Sequence, residues 1–109
     1  MPEYLGEFEQ VVLLAVARLG KGAYGVPIRA EIEERTGRQV SVGALYSTLD
    51  RLEAKGYLHS WFGEATAQRG GRSKRYFELL PAGAEALARS KNMLDSMWRG
   101  LRMKGDSHA

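Results

Sequence analysis

The sequence predicts a mostly α-helical domain with one small β-hairpin and a long C-terminal helix. Apolar residues recur at helical spacing in four segments, glycine and proline stand at segment ends, and two aromatic-rich stretches flank a Gly-Gly pair. Of the 109 residues, 44% are hydrophobic and 27% are charged, which is ordinary globular composition. We expect residues 1–80 to form one domain and residues 81–109 to add a helix and a short tail.

Glycine and proline mark the bounds of the first two helices. Residues 6–19 are apolar on most sides, which is typical of a helix central to a core or part of a subunit interface, and Gly20 ends it. The second helix covers residues 26–36. Pro27 suits its first turn and Gly37 its C-terminal stop.

The third helix begins after Ser41, a good N-cap, and runs to Lys55. Its predicted buried stripe follows spacings of three, four and three: Val42, Leu45, Leu49 and Leu52. The opposite face is then small, hydroxylic and basic. Residues 57–64 and 73–80 next read as two strands of a hairpin, whose loop brings four basic groups together within residues 69–75.

The last helix is predicted from Pro81 to about Met103. Leucines recur in it every seven residues, and we expect this stripe to pack against a second copy rather than fold back on its own domain. The predicted dimer interface takes in both terminal helices: Phe8, Leu13, Leu87, Leu94, Met97, Trp98 and Leu101.

Two helices joined by a short turn and followed by a hairpin form the helix-turn-helix order of DNA-binding proteins. Small residues at the start of the third helix allow close approach to DNA, hydroxyls can bond phosphates or base edges, and Arg51 can pair with a phosphate or guanine. The predicted contacts on the helix are Ser41, Gly43, Ala44, Ser47, Thr48 and Arg51. Those on the hairpin are Arg69, Arg72, Ser73 and Lys74.

Composition argues against several other classes of function. The sequence contains no cysteine and two histidines, and it lacks phosphate-loop spacing and any catalytic triad pattern, so we expect no enzyme, metal site or cofactor. The longest apolar run, residues 11–17, is too short for a membrane span, and no secretory signal is visible. A cytoplasmic protein is expected.

Several blocks along residues 5–85 resemble the PadR family of bacterial transcriptional regulators, which are winged-helix proteins with a C-terminal dimerisation helix. The most specific are Gly43-Ala-Leu-Tyr46 and Gly70-Gly-Arg-Ser-Lys-Arg-Tyr76. One departure is Leu80, where the family often has a threonine N-cap. The short C-terminal part resembles the family's short subgroup.

The resemblance implies a homodimeric repressor that binds a pseudo-palindromic operator, with the third helix of each copy in successive major grooves. Residues 42–55 would be the recognition helix and residues 69–74 the wing tip. Tyr46 would lie at the DNA-facing edge of that helix, although a core position beside Leu45 and Leu49 is the alternative. Such a regulator would associate with the bacterial nucleoid when bound to DNA.

Some regulators of this type bind flat aromatic molecules at the dimer interface. The resemblance therefore suggests a small aromatic effector at Leu94, Met97 and Trp98, with ordinary interface packing as the alternative. The second function left open is a winged-helix module that binds another protein and never binds DNA.

Overall fold

The computed structural model describes residues 3–63 and 73–103, and its elements follow the predicted order. A single turn of 3-10 helix, Gly20–Gly22, follows the first helix. The elements are α1 (Glu7–Leu19), α2 (Gly25–Thr36), α3 (Val42–Ala54), β1 (Leu58–Phe62), β2 (Arg75–Leu79) and α4 (Pro81–Trp98). Three helices and an antiparallel hairpin form a winged helix-turn-helix, which confirms the predicted fold class.

The core lies where α1, α2, α3 and the hairpin meet. α1 supplies its centre and buries four apolar side chains, because a helix that is apolar on most sides can contact all of its neighbours. Removing this apolar surface from water is the main stabilising contribution to the fold. The most deeply buried large side chains are Val12, Leu13, Val16, Ile28, Ile32, Leu45, Leu49, Leu52, Leu58 and Phe77.

The buried face of α3 differs from the predicted stripe at one end. Val42 is 54% exposed, whereas Thr48 is 4% exposed and is buried with Leu45, Leu49 and Leu52. Val42 is the first helical residue and borders an open groove between the starts of α2 and α3, so nothing covers it. Residue 48 falls on the same face as the leucines by helical periodicity, and the Thr48 hydroxyl accepts a long contact of 3.5 Å from the Arg51 guanidinium.

The two strands pair antiparallel from Leu58 opposite Leu79 to Phe62 opposite Arg75. Each is shorter than predicted, and the hairpin contributes Leu58 and Phe77 to the core. A further bridge joins Tyr24, just before α2, to Tyr76 of β2, which fixes the hairpin against the start of α2. The predicted Gly-Gly tip lies outside the described residues.

The first half of α4 belongs to the core and the second half does not. Gly83, Ala86 and Ser90 are buried, and the Ser90 hydroxyl accepts the backbone N–H of Leu5 at 2.9 Å. The helix begins at Pro81 with no side-chain cap, in keeping with leucine at position 80. It ends at Trp98 instead of near Met103, because Gly100 adopts a left-handed conformation with φ of 82°. The division at residue 80 stays a prediction.

Candidate nucleic-acid interface

The turn between α2 and α3 is fixed from both sides. Gly37 takes φ of 75° and ends α2, with its N–H donating to the Glu33 carbonyl. The Glu33 carboxylate accepts the N–H of Val40 at 2.9 Å, and the Arg29 guanidinium donates to the Val40 carbonyl at 2.6 Å. Both polar groups of one turn residue are therefore held by α2, which sets the direction in which α3 leaves the turn.

The N-terminal half of α3, which we define as residues 41–47, presents a small and uncharged surface. Ser41 caps the helix as predicted, since its hydroxyl accepts the N–H of Ala44 at 3.1 Å. Gly43, Ala44 and Ser47 are all exposed. A Cβ atom built on Gly43 would meet no heavy atom within 4 Å, so this face is open to close approach by a large partner.

Tyr46 joins the starts of α2 and α3. Its ring is half-buried against the core, and a Cβ atom added to Gly25 would lie 2.1 Å from its hydroxyl oxygen. Only glycine fits at position 25 without displacing the tyrosine. Tyr46 thus has the core contact that the sequence left as its alternative, and its contact with DNA stays a prediction.

The C-terminal half of α3, residues 48–55, is held by a buried carboxylate. Glu9 of α1 is 8% exposed, and its Oε2 accepts Arg51 Nε at 3.2 Å and Lys55 Nζ at 3.1 Å. Its other oxygen accepts the N–H of Gly6 at 2.9 Å. Thr48, predicted to contact DNA, is buried beside this pair and has no surface to offer, which corrects that assignment.

These contacts shift the pKa of both partners. Burial alone would raise the pKa of Glu9, but hydrogen bonds from Gly6, Lys55 and Arg51 outweigh it, and the pKa lies below its ordinary value. The hydrogen bond to Glu9 raises the pKa of Lys55 in turn. No local pattern predicts this cluster, because Glu9 is 42 residues from Arg51 and 46 from Lys55.

Arg75 ties the hairpin to α3 and is not part of a free basic surface. Its guanidinium contacts Asp50 at 2.9 Å and Glu53 at 2.7 Å, and its Nε donates to the Ser60 hydroxyl. Burial opposes the charged form, yet these two carboxylates raise the pKa of Arg75. The hydrogen bond from Ser60, with help from Arg75, lowers the pKa of Glu53.

Lys74 lies at the loop end of the paired strands, beside the start of α2. Its ammonium group sits 4.7 Å from the centre of the Tyr24 ring, which also meets Tyr76 edge to face at 5.4 Å. Lys74 and Ser73 are both exposed. Arg69 and Arg72 lie outside the described residues, so their contacts with DNA stay predictions.

A second exposed surface, which we call the α1–α4 apolar surface, is formed by Leu14, Leu94, Met97, Trp98 and Leu101. These side chains are between 46% and 71% exposed in the single chain. Leu14, Leu94 and Trp98 line one groove of about 370 Å³ between the two helices, which brings together two of the three predicted effector contacts. Leu101 follows the end of α4.

Three other predicted interface residues lie differently. Leu13 is fully buried within its own chain and has no surface for a second copy, which corrects its assignment. Leu14, one residue further along α1, occupies the exposed position instead. Phe8 and Leu87 are partly buried against the core, with the Arg38 guanidinium 5.5 Å from the Phe8 ring.

Residues 3–63 and 73–103 contain no group of three carboxylate, histidine or cysteine side chains arranged to hold a metal ion. None of the described helices is both long enough and apolar enough to cross a bilayer.

Comparison with known proteins yields a consistent set of likenesses. The model of the Transcriptional regulator PadR-like family matches residues 13–89. The transcriptional regulator Rv3488 of Mycobacterium tuberculosis is 41% identical over 76 residues, which are 68% of this chain and 64% of that protein. This chain therefore spans less than two thirds of that relative's length.

Solved structures share the fold. A transcriptional regulator from Clostridium thermocellum matches with a TM-score of 0.69 at 24% identity, over 82% of this chain and 81% of that one. A PadR family transcription regulator from Clostridium difficile R20291 matches with a TM-score of 0.66 at 21% identity, over 83% of this chain and 90% of that one.

Proposed function

Because this chain belongs to the PadR-like family of transcriptional regulators, which are not enzymes, we propose that it regulates transcription by binding a specific duplex DNA sequence. The N-terminal half of α3 enters the major groove, and the hairpin lies beside it along the phosphate backbone. The observation that carries the proposal is the open, uncharged start of α3 directly after a turn that α2 holds rigidly.

The contacts expected at this surface divide by their chemistry. Ser47 is exposed on the open face of α3 and can bond a base edge, while Gly43 and Ala44 let the helix backbone approach the groove. Lys74 supplies positive charge at the loop end of the hairpin, and we expect Arg69 and Arg72 to add to it. Tyr46, at the joint of α2 and α3, lies at the edge of this contact area.

We further propose that the protein acts as a homodimer on a pseudo-palindromic site. The α1–α4 apolar surface supports this, since large exposed apolar patches mark association sites and a second copy would cover Leu94, Met97 and Trp98. We infer that the bound dimer represses transcription by occupying the promoter. A small aromatic effector that enters the groove at Trp98 would weaken DNA binding by changing how the two copies pack. Such a regulator works at the nucleoid in the cytoplasm.

Titration of the full-length protein against the DNA upstream of its own gene tests the proposal. Fluorescence anisotropy over a salt series would compare that DNA with a shuffled duplex of the same length, and sedimentation would give the mass of the complex. We expect tight, salt-sensitive binding to the upstream DNA by a dimer, and weaker binding to the shuffled DNA.

One pair of variants separates the α3 surface from general charge effects. Ser47→Asp places a negative charge on the exposed start of α3 and should weaken specific binding by about tenfold or more. Ala82→Asp adds the same charge at an exposed position of α4 and should change it by less than about twofold. Equal effects of the two variants would contradict the proposed surface. Absence of DNA binding even at low salt would favour a protein-interaction module instead.

A further inference from the structure

The start of α3 has few chemical means of telling one base pair from another. Residues 41–47 contain no charged side chain. The charged side chains of the C-terminal half lie 2.7 to 3.2 Å from oppositely charged partners within the same chain: Asp50, Arg51, Glu53 and Lys55. Arg51 is the one arginine of this helix, and its Nε is bound to Glu9, so pairing with guanine, the commonest specific contact, would have to share or compete with that ion pair.

Val42 is the exposed large apolar side chain at this end of α3. It is the first residue of α3, is 54% exposed, and borders a groove of about 450 Å³ between α2 and α3. Val26 borders the same groove from the first turn of α2 and is 73% exposed. Neither valine is part of the buried core, so the stability of the fold does not explain why an apolar side chain stands at these two exposed positions.

The major groove offers one apolar group for such a side chain to recognise, the C5-methyl of thymine. In helix-turn-helix proteins the N-terminal residues of the second helix face base edges, while the preceding helix crosses the backbone. Val42 is therefore placed to meet bases and Val26 to meet the sugar-phosphate chain. Gly43 next to Val42 has open space around it and allows the contact to close.

We propose, on the basis of the proposed DNA-binding function, that Val42 recognises thymine methyl groups and selects A·T pairs at defined positions of each half-site. Val42 acts here as a specificity-determining residue. Ser47 lies five residues, about 1.4 turns, further along α3 and projects from a different side of the helix, where it can bond a separate base edge or a phosphate. Arg51 stabilises the helix through its Nε contact with Glu9, and its predicted contact with DNA stays a prediction.

Uracil substitution tests the contact directly, because uracil pairs as thymine does but lacks the C5-methyl group. Binding sites would be selected from a pool of randomised duplexes with the full-length protein. The best site would then be synthesised with each thymine replaced in turn by uracil. We expect at least one replacement in each half-site to weaken binding by about threefold to fivefold, the value of one buried methyl group.

Two valine variants complete the test. Val42→Ala should reduce the difference in binding between the thymine and uracil versions of that position, whereas Val26→Ala, a matched truncation in the same groove, should keep the wild-type difference. Both residues are exposed, so both variants should melt within a few degrees of wild type.

The outcomes separate the two proposals. If the wild type selects a specific site but tolerates uracil everywhere, or if Val42→Ala keeps the full difference, the role of Val42 is overturned and specific DNA binding stands. If no site can be selected from the pool, the proposed function fails and the readout by Val42 fails with it.

Discussion

The two halves of α3 are built in opposite ways. Residues 48–55 carry all the charge of the helix, and that charge is bound by Glu9 on one side and Arg75 on the other. Residues 41–47 carry no charge. Besides the buried Leu45, their contact with the rest of the domain is the packing of the Tyr46 ring against Gly25 at the start of α2. The C-terminal half of α3 is thus bound to its own domain by ion pairs, whereas the N-terminal half exposes an uncharged surface to solvent.

The difference shows how a small domain can hold a helix in place and still expose part of it. Ion pairs and hydrogen bonds to partly buried carboxylates hold the C-terminal half, where they are shielded from salt better than exposed pairs are. The open half needs no polar contacts of its own, because small residues and a serine N-cap satisfy its local geometry. Disturbing each half separately should therefore produce different kinds of defect.

Gly25→Ala should have the largest effect, because it disturbs the anchor of the open half. The added Cβ would lie 2.1 Å from the Tyr46 hydroxyl oxygen and 2.9 Å from its ring, so the tyrosine must move. We expect the free energy of unfolding, measured by urea denaturation, to fall by about 2 to 3 kcal/mol. Specific DNA binding should weaken as well, since α3 shifts with the tyrosine.

Gly43→Ala is the matched control for that change. Its added methyl group enters open space in the first turn of the same helix. Alanine is the better helix former by about 0.5 to 1 kcal/mol, so stability should be kept or raised. A similar loss of stability in both variants would show that the Tyr46 contact is not the cause.

Arg75→Ala tests the tied half from the hairpin side. The substitution removes the ion-pair partner of both Asp50 and Glu53. The pair with Asp50 contributes little to stability, because Asp50 is largely exposed. We expect a loss of about 1 to 2 kcal/mol in the free energy of unfolding, most of it from the contact with Glu53. Arg75→Lys should restore only part of this loss, because an ammonium group cannot hold two carboxylates with the planar geometry of guanidinium. Equal stability of all three proteins would argue that the hairpin is held by apolar packing alone.

Glu9→Gln should have the smallest effect, about 0.5 to 1 kcal/mol at neutral pH, and a distinct dependence on pH. The folded-state pKa of Glu9 lies below its ordinary value of 4.5, so its carboxylate stabilises the fold above that pH. This stabilisation is lost as the pH falls through the folded-state pKa. Denaturation between pH 6 and pH 3 should therefore show a shallower acid-side decline in the variant.

Glu7→Gln provides the comparison, because it removes a carboxylate from the same turn of α1 that is 79% exposed. The acid-side decline of this variant should stay close to that of wild type. If Glu9→Gln and Glu7→Gln gave the same profile, the contacts of Glu9 with Arg51 and Lys55 would have no measurable role in stability.

The sequence predicts the elements of this fold well because their signals are local. Helical spacing, the Ser41 cap, Pro81 and the glycine stops each act within a few residues. The end of α4 was missed although Gly100 was visible, because Leu101 continued the leucine repeat and favoured a longer helix. Both strands are also shorter than predicted, since pairing covers only Leu58–Phe62 and Arg75–Leu79.

The candidate interface was harder to predict, because it depends on which surfaces the fold covers. By helical periodicity, Val42 and Thr48 both lie close to the face of α3 that carries the buried leucines. Only the packing of the whole fold decides which of the two side chains is buried. An all-round apolar helix such as α1 gives no way to choose between Leu13 and Leu14. Arg51 and Arg75 look free in the sequence, and their acidic partners come from distant segments.

The hydrogen bond between the Leu5 amide and the Ser90 hydroxyl joins positions 85 residues apart. During synthesis the ribosome releases the start of the chain long before residue 90 is available. Until α4 has emerged, the nascent domain lacks the side chain that accepts the Leu5 N–H and the Ala86 methyl group that completes the core. Completion of the fold is therefore coupled to the arrival of the helix that carries most of the α1–α4 apolar surface.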